Sequence, residues 1–599
     1  MIAIALLSSS LFLAAPEDAK RYFTITVVDE QTGRGVPLVE LRTVNDLRYF
    51  TDSNGVVAFR EPGLMDLDVF FHVTSHGYEY PKDGFGSRGK TLRTTPGGSA
   101  KLTMGRLNIA ERLYRVTGGG IYSDSMLVGA TVPLKEPLLN GQVLGSDTVL
   151  NAIYRGKVYW YWGDTNRPSY PIGNYQVPGA TSELPDKGGL DPERGVDLTY
   201  FINPKGFAKE TMKMPGKGPT WLTALVPLKD KDGKEKLFGS FVKIEPPLKV
   251  YGRGLAVWND EKEVFDKLSD IDMKAPIFPQ GHAFRHVENC IDYVYFADPY
   301  PLTRVRATAE DFQQIEAFES FTCLKEDGQL DRDDVGTLHY RWKKNTPAVK
   351  SPEQAKLKLK TDEALVRLRD RDTAKAIFGH AGSVSWNAHR QRWVMITVQA
   401  GGTSYLGEVW YAEADSPTGP WLYAIKVATH EKYSFYNPKQ NPMFDKDGGK
   451  IIFFEGTYTH TFSGNPDPTP RYDYNQVMYK LDLSDKRLSL PVPMYASAEK
   501  GFVALRQREK EEPIAFFALD HPGVRSVPIV FADGTLRIGK SDEKSAFHAV
   551  RADIKNPPAT TLPLFEYRKD AERYYTIDPE LKREGWQRAE APLCLVWSK

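Results

Sequence analysis

Between Asp147 and Tyr495 the chain repeats one theme, four short β-rich runs joined by polar turns, and this repetition limits the fold more than any other feature. The first unit reads DTVLNAIY, KVYWYWGDT, DLTYFIN and AKETMKM, and the second WLTALVPL, KLFGSFVKI, GRGLAVWN and EVFDKL. HAFRHV, DYVYFADP, TRVRAT and FESFTCL form a third, and GSVSWNA, RWVMITVQ, EVWYAEA and WLYAIKVA a fourth. NPMF, KIIFFEGTY, NQVMYKLDL and RLSLPVPMY complete a fifth. The first two runs of each unit meet at a polar turn: YRGK, KDKDGKEK, VENCID, NAHRQR and DKDGG. A lone four-stranded sheet cannot cover both of its faces, but a ring of such sheets can, each blade burying its neighbour and leaving only short edges exposed. The pattern therefore predicts an all-β chain with a five-bladed β-propeller over 147–495. Two stacked sandwiches are the competing architecture. The spacing is made uneven by insertions at Arg167 to Gly195 and Glu326 to Arg371, the second rich in Lys, Asp and Glu.

A chain of 599 residues exceeds what one core usually serves, so flanking domains are expected. Residues 1–15 carry an apolar run, IAIALLSSSLFLAA, too short to span a bilayer and matching a signal-peptide core, which predicts a secreted or periplasmic protein. No later run approaches the length of a membrane span. From 22 to 107 apolar and polar residues alternate, with a turn at TDSNG followed by the runs VVAFREPG and VFFHVTSHGY, as in an antiparallel β-sandwich. VVDEQTGRGVPLVEL followed by TDSNGVVAF resembles the carboxypeptidase-regulatory-like, transthyretin-like sandwich, a module that positions or binds. The region 499–599 is again β-like, with IAFFALD and SVPIVFADG. Its tail, PLFEYRKDAERYYTIDPELKREGWQRAEAPLCLVW, resembles small aromatic repeat modules at the ends of exported bacterial proteins. With 78 basic against 77 acidic side chains there is no electrostatic footprint for nucleic acid, and a neutral partner, a carbohydrate, is expected, met by a monomer. Cys290, Cys323 and Cys594 are too few for a disulfide scaffold and read as buried free thiols, with a Cys290–Cys323 pair as the alternative.

Propellers gather side chains from distant blades at the mouth of the central channel, and cleavage of a glycosidic bond needs two carboxyl groups there, one protonated and one ionised. GSDTVLNAIYRGKVYWYWGDTN resembles the first blade of the five-bladed glycoside hydrolases of the arabinanase and β-xylosidase type. EVWYAEADSPTGPW resembles a corner common in that superfamily, and together these motifs extend over about 60% of the chain. The resemblance implies that Asp147 takes the place of the general base. It also implies a Glu at the start of a later blade as general acid, yet the fourth unit begins FGHAGSVSW, without a carboxylate. Glu455, after four apolar residues in IIFFEGTYT, is the substitute, because desolvation would raise its pKa. Asp164, after WYWG, is a third carboxylate, read either as catalytic or as a turn-capping Asp. Arg253, His282, Arg285, His286, His380, Trp386, Asn437 and Gln440 are candidate ligand handles around the rim, with core, turn or ion-pair roles as the alternative. There is no HExxH, GxSxG or phosphate-binding loop, so no cofactor is required, although the fold leaves room for a structural calcium. The expected activity is hydrolysis of a polysaccharide or oligosaccharide. The alternative is a propeller that binds glycan or protein without cleaving it.

Overall fold

The computed structural model describes residues 17–350, 356–360, 363–497, 501–503 and 514–598. The leader read at 1–15 lies outside the described residues, as does Glu499, where the last region was expected to begin. The chain is nearly all β, and among the described residues no helix is long and apolar enough to cross a membrane.

Near the N-terminus two 4-stranded sheets face each other. Strict alternation in Asp68–Thr74 turns Val69, Phe71 and Val73 inward, where they meet Ile25, Val27, Phe59 and Leu102 of the opposite sheet.

Then follow the repeated units. Their first strands are Leu150–Tyr154, Thr220–Lys229, His282–Glu288, Gly379–Asn387 and Ser434–Gln440, each followed by antiparallel partners in its own sheet. Between consecutive blades lies an apolar wall. Tyr161, Leu222 and Trp258 pack between blades one and two, and Phe238, Val294 and Phe296 between two and three. Tyr300, Trp393 and Trp410 fill the gap between three and four, and Val427, Phe454 and Tyr479 that between four and five. The wall that closes the ring joins blade five to blade one through Phe453, Met478, Trp160 and Trp162, which are 0 to 1% exposed. At about 25 cal/mol per Å² of apolar area buried, large rings in that wall contribute roughly 2–3 kcal/mol each to closure. Stacked sandwiches do not produce five successive walls of which the last returns to the first sheet. The fold is a β-propeller.

The closing blade departs from the sequence reading. Its fourth strand is Glu111–Arg115, which precedes blade one, in the register Val477↔Arg115 and Lys480↔Glu111; RLSLPVPMY does not supply it. Pro491–Ser497 instead opens the C-terminal 10-stranded sheet, pairing with Ile514–Leu519. The blade's first strand is Ser434–Gln440, not NPMF, whose Pro442–Phe444 forms a single 3₁₀ turn. In blade one the third and fourth strands are Gly179–Ser182 and Thr199–Tyr200, and AKETMKM forms no strand. Blades two, three and four follow the reading closely, with extra outer strands at Arg341–Lys343 and Val366–Asp370.

The strand that closes the ring also fastens the sandwich. Arg112, 1% exposed, donates to Pro37 O at 3.0 Å, His76 O at 3.0 Å and Ser75 Oγ at 2.5 Å. Arg115 lies 4.6 Å from the Tyr472 ring centroid, and Tyr472 donates to Thr51 O at 2.5 Å. All three cysteines are free, with Cys290 exposed and Cys323 and Cys594 buried, so the Cys290–Cys323 pair is not formed.

Candidate active site at the propeller mouth

Antiparallel pairing places the start of each first strand beside the end of each second strand, as in Leu150↔Tyr161, His282↔Ala297 and Gly379↔Gln399. One face of the ring therefore collects the residues just before first strands and just after second strands. Asp147 and Asp164 occupy these two positions in blade one. Asp147 N donates to Asp164 O at 3.2 Å and Gly163 N to Asp147 O at 2.9 Å, so the hairpin continues through the pair into Ser146↔Thr165 of a small accessory sheet. The two carboxyl-bearing residues are thus fixed by backbone from both sides. Gly163 is required there: a Cβ on it would lie 2.2 Å from Asp147 Oδ1.

Blade five completes the surroundings. Tyr436 OH donates to Asp147 Oδ2 at 2.8 Å, and Tyr474 also hydrogen-bonds this carboxyl. Oδ1 of Asp147 and Oδ1 of Asp164 are both covered and without a protein partner. Burial first, and then the charge of Asp164, pushes the Asp147 carboxyl up to about 7. Burial pushes Asp164 up to about 6, against a hydrogen bond from Trp221 of blade two that favours its ionised form. Two carboxyls that both resist ionisation and feel each other hold one proton between them near neutral pH. That is the equipment of an acid and a base in one place.

Glu455 does not join them. It is 0% exposed in the wall between blades five and one, where Asn441 Nδ2 donates to its Oε1 at 2.8 Å. Burial raises its carboxyl to about 7, opposed by that bond and by the neighbouring Lys439, whose own ammonium burial lowers to about 8. Lys439 Nζ donates to Asn151 Oδ1 at 2.6 Å, and Asn151 Nδ2 to Asn441 Oδ1 at 2.7 Å. The desolvation expected from the sequence is present, its Oε2 is covered and without a protein partner, and the group belongs to a buried polar knot that pins blade five to blade one.

The other handles divide. His282 stands at the mouth end of blade three, kept neutral by burial, which lowers it to about 3. His380 is exposed at the mouth end of blade four. Asn437 Nδ2 donates to Thr148 Oγ1 at 2.7 Å, steadying the residue after Asp147. Gln440 is 2% exposed and ties blade five to Ser383, Ser385 and Asp445, so it faces no ligand. Arg253 donates to Asp272 O at 2.6 Å and Ala275 O at 2.9 Å, holding the connection from blade two to blade three rather than the channel. Trp386 lies near the far end of its strand, and Arg285 and His286 stand at the middle of theirs, one to two turns of the pleat beyond His282 at the mouth.

Sequence reading missed Tyr436, Tyr474 and Trp221, which touch the pair, and Asp298. Asp298 follows the second strand of blade three, Ile291–Ala297, as Asp164 follows that of blade one, and it accepts from Gln280 Nε2 at 2.7 Å. The signal was there: WYWGD and VYFAD both end an aromatic second strand in an Asp. Among the described residues no cluster of three or more His, Cys, Asp or Glu is arranged to hold a metal ion.

No family model and no curated protein matches the chain. Among solved structures, a GH43_1 enzyme from Xanthomonas citri complexed with xylotriose aligns at 12% identity and TM-score 0.30, over 60% of this chain and 90% of that one. A thermostable family-43 glycoside hydrolase aligns at 11% identity and TM-score 0.25, over 69% and 96%. An exo-1,5-alpha-L-arabinanase from a bovine ruminal metagenomic library aligns at 10% identity and TM-score 0.29, over 56% and 93%.

Proposed function

We propose that this chain is an exported glycoside hydrolase that cleaves a neutral polysaccharide or oligosaccharide at the propeller mouth, with Asp147 and Asp164 as the carboxyl pair. One observation carries the proposal: two half-buried aspartates at neighbouring strand ends, their carboxyls raised to about 7 and about 6, each with a covered oxygen that no protein group satisfies. A fold keeps such a pair at a cost in stability, and acid–base work at neutral pH is what it suits. Tyr436, Tyr474 and Trp221 hold the carboxyls in place. His282, His380 and Asp298 offer polar contacts to sugar hydroxyls from blades three and four.

The test is release of reducing sugar from arabinan, xylan and galactan by the wild type and by Asp147→Asn and Asp164→Asn. Each variant should lose activity by at least ~10²-fold while remaining folded. Full activity in both removes the pair from the chemistry. One observation favours the second reading, a propeller that only binds glycan: the mouth end of blade four presents His380 and no carboxylate. Saturable binding without product from any polymer would establish that reading.

A further inference from the structure

Arg285, His286 and Trp386 do not reach the mouth, but they do meet one another. With Trp342, Trp393, Tyr295, Glu288 and Asp415 they line a cavity of about 910 Å³ between blades three and four. Trp386 stands six residues beyond His380 on the same strand, roughly 20 Å at ~3.3 Å per residue, so no short ligand at the mouth touches this groove.

The groove is built. Trp386 is 47% exposed and braced edge-on by Trp393, with ring centroids 5.6 Å apart. Trp342 is backed by the guanidinium of Arg304, 4.1 Å from its centroid, and Arg304 is itself held by Glu319 at 2.8 Å and by Glu288. Three of the lining charges are committed to partners: Arg285 to Asp292, Glu288 to Arg304 and to Tyr295 OH at 2.6 Å, and Asp415 to Arg392 at 2.8 Å. The arginines Arg285 and Arg341 balance the acids Glu288 and Asp415, so no net field selects an ion. Aromatic faces attract the C–H faces of sugar rings through their negative quadrupole, while paired polar groups at the rim meet hydroxyls.

We infer that this groove is a second glycan-binding site, which takes a neutral oligosaccharide stretch through Trp386 and Trp342. It rests on the proposed function only in taking a glycan as the ligand. Its role is to tether a polymer, raising the local concentration of chain at the mouth without contributing to bond cleavage.

Affinity electrophoresis of the full chain through gels containing soluble arabinan, xylan, galactan or mixed-linkage β-glucan tests it. Wild type and Asp147→Asn should be retarded equally by at least one polymer. Trp386→Ala should weaken that retardation at least tenfold at unchanged melting temperature, with Trp386→Tyr restoring most of it, while a short oligosaccharide is still turned over. Trp386→Ala retarded like the wild type, or a wild type that none of the four polymers retards, overturns the inference. Should Asp147→Asn still cleave while Trp386→Ala loses retardation, the groove stands and the catalytic reading falls.

Discussion

Replacing Asp147 by Asn should make the protein more stable at alkaline pH while disabling it. In the folded chain the Asp147 carboxyl is raised from 3.8 to about 7, first by burial and then by Asp164. Between those values the native state binds a proton that the unfolded state has released, so stability is full below about 4 and is lost as pH climbs through 7. A shift of roughly three units at about 1.36 kcal/mol each bounds the loss at about 4 kcal/mol, and sharing with Asp164 brings the expected figure to about 2–4 kcal/mol. Asn has the same shape and never ionises. Denaturation midpoints of wild type and Asp147→Asn, measured at pH 4.5 and 8.5, should therefore nearly coincide at the lower pH and diverge in favour of the variant at the higher. Activity assayed on the same preparations should fall by at least ~10²-fold. If the variant is less stable at both pH values with an unchanged pH slope, Asp147 serves the fold and the reasoning about the pair fails.

Other consequences can be checked with standard assays. Gly163→Ala puts a methyl group 2.2 Å from Asp147 Oδ1, so kcat/KM should drop at least tenfold with little change in melting temperature. The pH–rate profile should be a bell with limbs near 6 and 7, falling on the acid side as the base gains a proton and on the alkaline side as the acid loses one. Lys439→Met leaves the buried Asn151 and Asn441 carbonyl oxygens without their Nζ donor and should cost about 1–3 kcal/mol by denaturant unfolding.

Blades two, three and four were legible because their inner strands are long, alternating or apolar, and bounded by polar turns. Blade five was not, for two physical reasons. Its first strand contains Pro438 and slips register between Tyr436 and Lys439, with Asn437 at a positive φ of 51°, so it breaks the rule that keeps proline out of strands. Its last strand is supplied by Glu111–Arg115, a pairing across more than three hundred residues that leaves no local trace. The site divides in the same way. Asp147 and Asp164 stand at adjoining strand ends, where the sequence pattern places them. Glu455 is desolvated as its apolar strand predicts, but a desolvated Glu reads alike in sequence whether it faces a channel or an interblade wall, and only register decides. Arg285 and Trp386, expected at the channel rim, stand at the middle and near the far end of their strands, because a strand's first residues and its later ones read alike in sequence.

Cleavage at the mouth requires a closed ring that presents Asp147 and Asp164 to a sugar. The most direct measurement is a crystal structure of Asp147→Asn grown with an oligosaccharide from whichever polymer the protein binds. A sugar ring over blade one, its glycosidic oxygen within hydrogen-bond distance of position 147 or 164, is the predicted result. A mouth left empty while the sugar occupies another surface would contradict it.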